Sequence, residues 1–254
     1  MDVLIILAVA LLPVAVLFWY ILKQDKYKGE PFSLLFKALA LGVWSAVLAA
    51  ALAYLIISLG IVPDSDNITS LYDAISISFL GAALPEELMK FLMFWVVVNK
   101  NRHFDEHVDG VVYASCVALG FAGIENILYL FDNTDEWVSV GIVRALLAVP
   151  MHWGCGILMG YYFSLVHFGL KNDIKTKVMI LAAPILCHGI YDSLLFSVGV
   201  EPLLGLVIMP FLIFFLVKFH KRCRQKIVAL LQSDVEVMLE QARREAEMQE
   251  DNVQ

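Results

Sequence analysis

The sequence predicts an all-α protein, a polytopic bundle of about seven helices that cross a lipid bilayer. The first observation is composition: of 254 residues, 60% are hydrophobic and 17% are charged, and the mean hydropathy is +0.77. Soluble domains are about half apolar and about a quarter charged. The second observation is the length of the apolar runs, and the third is the charge of the segments between them.

Apolar runs of about 20 residues, the length that a transmembrane helix needs, recur along the chain. The second and fifth are longer, which predicts tilting, kinking or projection beyond the bilayer. The first run lacks a basic segment ahead of it and a small-residue cleavage site, so we interpret it as a retained span. The predicted spans are 3–22, 34–62, 74–98, 111–131, 138–168, 178–198 and 203–219.

The charges between the spans alternate. Lys and Arg occur in 23–30, 99–110 and 169–177 and again from Lys218 onward, whereas 63–73, 132–137 and 199–202 contain neither. By the positive-inside rule, the N-terminus faces outward and the C-terminus is cytoplasmic. We expect a multi-pass protein of a bacterial-type plasma (inner) membrane, in contact with the lipid bilayer. The formal net charge of −7 argues against a nucleic-acid partner.

The chain divides into a transmembrane domain, 1–222, and a cytoplasmic tail, 223–254. From 225 to 250 the tail has a helical pattern, with Ile227, Leu231, Val235 and Met238 on one face, and beyond Glu240 it is charged on every side. We expect a solvated helix that lies on the membrane surface or pairs with itself. Oligomeric state stays open, a dimer included.

A carboxylate pair, Glu86-Glu87, lies near the middle of the third predicted span, with Lys90 one turn later. Ionisable groups at membrane depth cost several kcal/mol unless they are paired or hydrated, and they mark functional sites. Lys90 has an alternative, since its long side chain could extend to the inner interface. Further polar residues recur inside the later spans: Glu125, Asn126, Arg144, His152, His188 and Asp192.

Depth follows from the helical rise of 1.5 Å per residue. Glu86 and His152 lie about 20 Å from the outer end of their spans, His188 about 15 Å, and Asp192 and Glu125 about 9 Å, by that rise. These residues are therefore expected to converge in the midplane and outer half of the bilayer.

Three prolines precede key residues: Pro85, Pro150 and Pro184. Each removes a helical hydrogen bond and frees a carbonyl, which favours a kinked, water-lined cavity.

Arg144 lies at a depth close to that of Glu125 and Asp192. We expect Glu125 to be its partner, because Asp192 is one helical turn from His188. An ion pair that only locks the bundle is the alternative role for Glu125, Asn126 and Arg144. A second acidic stretch, 103–110, contains two His and three carboxylates but lies at the wrong depth for the same site. We interpret it as a turn that starts a helix, with Asp109 as its cap.

A Glu pair, two His and an Asp in a wet intramembrane cavity can hydrolyse a peptide bond. One Glu can take a proton from water, a His can orient that water, and a second His can stabilise the oxyanion. The same ligands, Glu86, His152 and His188, could instead hold zinc with an open position. No HExxH motif is present, so the sequence does not require a metal, and we expect no cofactor.

Five ordered motifs identify a family. The motifs are Leu84-Pro85-Glu86-Glu87-Leu88-Met89-Lys90 (EExxK), His103 to Gly110 (HFDEHxDG), Gly120 to Asn126 (GFAxxEN), Arg144-Ala145-Leu146-Leu147 leading to His152, and His188-Gly189-Ile190-Tyr191-Asp192. With these motifs the chain resembles the PrsW family of intramembrane proteases, distant relatives of the type II CAAX prenyl endopeptidases, over about residues 10–220.

The resemblance implies a glutamic-type intramembrane protease whose catalytic residues are Glu86, Glu87, His152 and His188. Glu86 with His152 would activate water, and His188 would bind the oxyanion. The CAAX enzymes tend to have Asn in place of Asp192 and Arg near Lys90, so Asp192 is expected only to orient His188. The implied partner is a single-pass membrane protein, such as an anti-sigma factor, cut near its outer side. The supporting residues are Lys90, Glu125, Asn126, Arg144 and Asp192.

Three other functions fit buried Glu, His and Lys. The first is a proton- or cation-coupled transporter, against which no inverted repeat is evident. The second is a membrane protein that holds haem between His152 and His188. The third is a CAAX-type protease with a lipidated or peptide substrate.

Overall fold

The computed structural model describes residues 3–64 and 67–251, and within those ranges every regular element is helical. The all-α transmembrane bundle is therefore confirmed. The helices are α1 (Val3–Leu22), α2 (Phe32–Ser58), α3 (Leu71–Ser76), a π-helix (Ile77–Ala83), α4 (Leu84–Val98), α5 (Asp109–Asp132), α6 (Trp137–Leu146), α7 (Ala148–His167), α8 (Ile174–Val200), a 3₁₀ turn (Pro202–Leu204) and α9 (Gly205–Asp251).

Six helical stretches of the described chain are long and apolar enough to cross a membrane. They match six of the predicted spans. The fifth predicted span consists of α6 and α7, and the break between them is at Leu147 (φ −116°, ψ −62°). Pro150 follows three residues later and cannot donate a backbone hydrogen bond to the preceding turn. The inward or outward orientation stays a prediction from loop charge.

The remaining predicted span, 74–98, lies in a helical stretch interrupted by the π-helix. At its end, the Leu84 N–H bonds to the carbonyl of Phe79, five residues back. Pro85 has no N–H for an ordinary α-helical bond, and the wider turn accommodates that missing donor. Single π-helical turns often lie at functional sites, and this one ends directly ahead of Glu86.

The centre of the bundle is formed by α5 and α7, which are buried along most of their length. Their backbones touch where glycines face each other, since a Cβ on Gly160 would overlap the Gly110 carbonyl oxygen. Close backbone approach at small residues is the usual packing of membrane helices. This contact fixes α5, which carries Glu125, against α7, which carries His152.

The last span and the tail form one continuous helix, α9, which runs through the predicted boundary at residue 223. Ile227 and Leu230 are buried against the bundle, and Asp234 is only 4% exposed. This part of the tail therefore packs on the transmembrane domain, and the expectation of a helix free on the membrane surface is wrong for it. From Leu239 to Gln249 every residue is exposed, as expected for the charged end.

Asp234 accounts for the contact between the tail and the bundle. Its hydrogen bonds, and those of Asp109, show that the prediction of Asp109 as the cap of α5 is wrong. The Asp234 carboxylate accepts hydrogen bonds from the backbone N–H groups of His107 (2.6 Å) and Val108 (3.1 Å), just ahead of α5. Asp109 instead accepts from the N–H groups of Asp105 and Glu106 in the preceding turn. The segment that leads into α5 is therefore held by a residue 126 positions away, which local sequence could not reveal, and no side chain of the described residues caps α5 at its own first turn.

Candidate active site

Helix α4 places Lys90 in the middle of the predicted site. Its ammonium nitrogen lies 2.8 Å from Glu87 Oε1, 3.3 Å from Glu86 Oε2 and 3.0 Å from His152 Nδ1. It also lies 3.8 Å from the centre of the Phe121 ring, a favourable position for a cation. Lys90 is 1% exposed, which rules out the alternative that it extends to the interface.

His152, on α7, links Lys90 to Glu125. A lysine ammonium only donates hydrogen bonds, so His152 Nδ1 accepts from it and the ring proton is on Nε2. That Nε2–H donates to Glu125 Oε2 at 2.8 Å. His152 is therefore a neutral imidazole with both nitrogens engaged. The sequence placed Glu125 in support only; its direct contact with His152 was missed.

His188, on α8, lies among carboxylates. Its Nδ1 is 2.9 Å from Glu87 Oε1, and its Nε2 is 3.1 Å from Asp192 Oδ2 and 3.8 Å from Glu86 Oε2. Carboxylates are acceptors, so both ring nitrogens are positioned as donors. The His188 and His152 rings are nearly perpendicular with centroids 4.9 Å apart. Asp192 orients His188, the arrangement that the sequence led us to expect.

Arg144, on α6, pairs with Glu125 as predicted. One terminal guanidinium nitrogen lies 2.9 Å from Glu125 Oε2, and Nε donates to Asn126 Oδ1 at 2.8 Å. The guanidinium also stacks 3.8 Å over the Tyr129 ring. Asn126 in turn donates to the carbonyl of Ala10 on α1 (2.9 Å). Glu125 therefore contacts both Arg144 and His152, so the ion pair is part of the site as well as a link between helices.

All the predicted site residues thus belong to one connected group, which we call the intramembrane cluster. One expected pairing is absent: Glu86 does not bond directly to His152, although ligand atoms of these two residues and His188 lie within 4.8 Å of one another. Lys90 contacts both. The sequence analysis gave no role to Phe121 or Tyr129. Phe121 is the Phe of the GFAxxEN motif, and the signal for Tyr129 is its position four residues after Glu125. The members are Glu86, Glu87, Lys90, Glu125, Asn126, Arg144, His152, His188 and Asp192.

The two carboxylates of the Glu pair have different surroundings. Glu87 is fully buried, whereas the Glu86 side chain is 17% exposed. Glu86 borders a cavity of about 170 Å³ whose far wall is a row of small residues on α2. Ala50 and Leu128, at the cavity, are exposed on the outside of the bundle, so the cavity opens sideways between α2 and α5. Its lining consists of Ala46, Ala49, Ala50, Ala53, Gly81, Glu86, Phe121, Glu125 and Leu128.

Glu86, His152 and His188 are close enough to share a metal ion, but their hydrogen bonds do not fit one. A histidine ligand must offer a lone pair. His152 presents its lone pair to the Lys90 ammonium, and both His188 nitrogens face carboxylates. The ammonium, 3.0 Å from His152 Nδ1 and 3.3 Å from Glu86 Oε2, would also repel a divalent cation. The arrangement is therefore complementary to an ammonium rather than to a metal.

The fold and this site define a class: a polytopic membrane protein with a buried acid–base cluster beside a cavity that opens toward lipid. Comparison with known proteins gives the family. A model of the family described as "PrsW family intramembrane metalloprotease" matches residues 30–218. The chain belongs to the PrsW family of intramembrane proteases. It is therefore a protease of the membrane, and the transporter and haem alternatives are set aside.

Several relatives, each named Protease PrsW, cover most of the chain. The protein from Bacillus subtilis (strain 168) is 33% identical over 220 residues, 86% of this chain and 95% of that protein. The protein from Clostridioides difficile (strain 630) is 34% identical over 189 residues, 73% of this chain and 77% of that protein. The protein from Geobacillus kaustophilus (strain HTA426) is 36% identical over 186 residues, 72% and 76% of the two chains. No solved structure matches the chain.

Proposed function

We propose that the chain is an endopeptidase that cuts single-pass membrane proteins with a water molecule activated by Glu86. The observation that carries this proposal is the difference within the Glu pair. Glu86 borders the cavity, while Glu87 is fully buried between Lys90 and His188. A general base must reach the proton that it removes, and of the two carboxylates in the Glu pair only Glu86 meets that requirement. Glu125 also lines the cavity, but Arg144 and His152 already engage its Oε2.

The chemistry follows from the positions of the side chains. Glu86 takes a proton from water, and the water oxygen attacks the scissile carbonyl carbon as the carbonyl π electrons move to oxygen. The His188 Nε2–H donates to Asp192 at 3.1 Å, and Nε2 lies 3.8 Å from Glu86 Oε2. It is the nearest ring donor for the resulting oxyanion, which it reaches by sharing or giving up its bond to Asp192. When the C–N bond breaks, protonated Glu86 returns the proton to the leaving amine. Glu87 and Asp192 hold His188, and Glu125 and Lys90 hold His152.

The cavity supports a substrate that enters from the lipid. The wall of alanines on α2 leaves space for a chain beside Glu86, and the opening lies on the outside of the bundle. We place the cut near the outer side of the substrate, in a bacterial inner membrane, as the estimated depths indicate. An anti-sigma factor is the substrate that the family resemblance suggests. A lipidated or peptide substrate of the CAAX type is the alternative.

We propose that the reaction needs no metal, because Lys90 already supplies the positive charge at the centre of the cluster. Zinc on Glu86, His152 and His188 is the alternative. The test uses the full-length protein, purified and stripped with a chelator, and candidate single-pass substrates. We expect chelator-resistant cleavage that Glu86→Gln abolishes. Activity lost on stripping and restored by zinc alone would refute the metal-free mechanism.

A further inference from the structure

A second group of buried carboxylates lies at the opposite end of α5 from Glu125. Asp25 and Glu30 come from the connection between α1 and α2, Glu106 precedes α5, and Asp109 begins it. Glu30 and Glu106 are 7% exposed and Asp109 is fully buried. We call these four residues the loop cluster. It lies on the face with the Lys- and Arg-rich connections, which is predicted to be cytoplasmic.

Three of its carboxylates converge. Asp25, Glu106 and Asp109 each offer an oxygen atom, and these atoms all lie within 4.8 Å of one another. Two oxygens on opposite sides of a calcium ion are about 5 Å apart, and closer around smaller ions. The spacing therefore suits one divalent cation bound by all three residues.

Each of the three carboxylates uses one oxygen to accept a backbone N–H. Asp25 Oδ2 accepts from Glu30, Glu106 Oε2 from Lys28, and Asp109 Oδ2 from Asp105 and Glu106. These bonds fix the orientation of the carboxylates before any ligand arrives.

The second oxygens of Asp25 and Asp109 are buried and accept no hydrogen bond from a donor group of the described residues, although Asp109 lies close enough to Glu30 to share a proton with it. A buried carboxylate oxygen left unpaired is costly. Asp109 is fully buried, so bulk water does not satisfy it.

The protein supplies little positive charge to this group. Lys28 is the basic side chain that pairs here, and it binds Asp105 at 2.8 Å on the exposed side, outside the three converging residues. His107 faces Asp234, a further carboxylate. Glu30 hydrogen-bonds the Tyr113 hydroxyl. Burial, together with the neighbouring Asp25, raises the pKa of Glu30 to about 7, and burial also raises the pKa of Asp25 and of Glu106.

We propose that Asp25, Glu106 and Asp109 form a binding site for a divalent cation that prefers oxygen ligands, such as Mg²⁺, Ca²⁺ or Mn²⁺. The cation joins the α1–α2 connection to the start of α5, the helix that carries Glu125 and Asn126 to the intramembrane cluster. The site is separate from the proteolytic chemistry and does not depend on how that chemistry works. Carboxylate ligands favour these ions over softer metals.

The test measures Mn²⁺ binding to the full-length, chelator-stripped protein in nanodiscs by electron paramagnetic resonance. We expect one saturable site per chain, weakened about tenfold or more by Asp25→Asn and by Asp109→Asn, since loss of even an outer-sphere partner costs that much. Asp105→Asn is the matched control: the same charge is removed from the same segment, but outside the three ligands, and binding should change much less. Mg²⁺ and Ca²⁺ should each displace Mn²⁺ from this site, as expected for a site of oxygen ligands.

Two further variants keep the outcome clear. Glu86→Gln should bind Mn²⁺ as the unmodified protein does; loss of binding there would assign the ion to the intramembrane cluster and overturn the proposal. If Asp109→Asn does not fold, Glu106→Gln and Asp25→Asn carry the test, with the Mn²⁺-dependent rise in melting temperature as the readout. No saturable binding, or equal binding by the Asp25 and Asp105 variants, would show that the loop cluster holds protons instead of a cation.

Discussion

The two groups of buried carboxylates in this bundle differ in what faces them. In the intramembrane cluster, Glu86 and Glu87 contact the Lys90 ammonium, and Glu125 contacts Arg144. In the loop cluster, Asp25 and Asp109 each have a buried oxygen that accepts no hydrogen bond from a donor group of the described residues. A buried charge is tolerated when it is paired. The first group is paired by the chain's own side chains, and the second needs a proton or a cation from outside.

Inside the intramembrane cluster, the same comparison distinguishes the carboxylate expected to react, Glu86, from the one expected to hold its neighbours in place, Glu87. Glu87 bonds Lys90 and His188 through Oε1, and its buried Oε2 has no partner among the described residues, whereas Glu86 keeps one side open to the cavity. Adjacent, chemically identical residues therefore have different expected roles. Variants that remove one charge at a time distinguish them.

The largest expected effect is on turnover. Glu86→Gln should lower the cleavage rate by about 10²–10⁴-fold, the usual contribution of a general base, without unfolding the protein. Glu87→Gln is the matched control. It removes the buried charge that faces both Lys90 and His188, leaves Lys90 only the longer contact with Glu86, and should destabilise the bundle by about 3–5 kcal/mol. Cleavage of a single-pass substrate and thermal unfolding would be measured on both. A Glu86→Gln protein with more than about a tenth of the original rate would exclude Glu86 as the base.

The second effect is on stability. Arg144→Leu removes the guanidinium that faces Glu125 and should cost about 3–5 kcal/mol, since one carboxylate is left unpaired. Adding Glu125→Leu should recover part of that loss. Recovery should be incomplete, because the His152 Nε2–H then loses its acceptor. A double-mutant cycle of unfolding free energies would measure the coupling. Additive single effects would mean that Arg144 and Glu125 do not stabilise each other.

Contacts between residues close in the sequence could be predicted, whereas contacts between residues far apart in the sequence could not. The Glu86–Lys90 and His188–Asp192 contacts follow helical spacing, and hydropathy located the spans, so both could be predicted. The Glu125–His152 bond joins residues 27 apart on two helices whose rotation the hydropathy pattern does not define. The loop cluster was harder still, because Asp25 lies far from Asp109 along the chain and looked like an ordinary loop residue.

The tail gives a similar lesson. Its apolar face was visible in the sequence, but the partner of Asp234 is 127 residues away at His107. Only the continuation of α9 without a break brings this carboxylate to the start of α5. The boundary at residue 222 was inferred from hydropathy and marks the end of the predicted transmembrane domain. Helix α9 continues past it.

The third effect tests that tail contact. Asp234→Asn should lower stability by about 1 kcal/mol, the typical net contribution of one hydrogen bond. The amide oxygen can still accept one of the two backbone N–H groups, but the second acceptor oxygen is lost. Glu236→Gln is the matched control, since it removes a charge from an exposed position of the same helix. Unfolding of both proteins in nanodiscs would be compared. Equal stability of the two variants would show that Asp234 does not hold the tail.

The smallest effect concerns pH, and it sharpens the comparison between the two clusters. The pKa of Glu30 is raised from 4.5 to about 7 by burial and by Asp25, so the folded chain holds a proton that the unfolded chain has released. The stability from this group is complete below pH 4.5 and is lost as pH rises through about 7.

The cation-stripped protein should therefore lose stability over this interval, and millimolar Mg²⁺ should reduce the loss at pH 8, where the carboxylates are ionised. Glu30→Gln should make the profile less steep, because one of the titrating groups is gone while its hydrogen bond to Tyr113 can persist. A slope should remain, since burial also raises the pKa of Asp25 and of Glu106. Melting temperatures at pH 5, 6, 7 and 8, with and without Mg²⁺, would measure this. A profile that Glu30→Gln leaves unchanged would assign the titration to other groups.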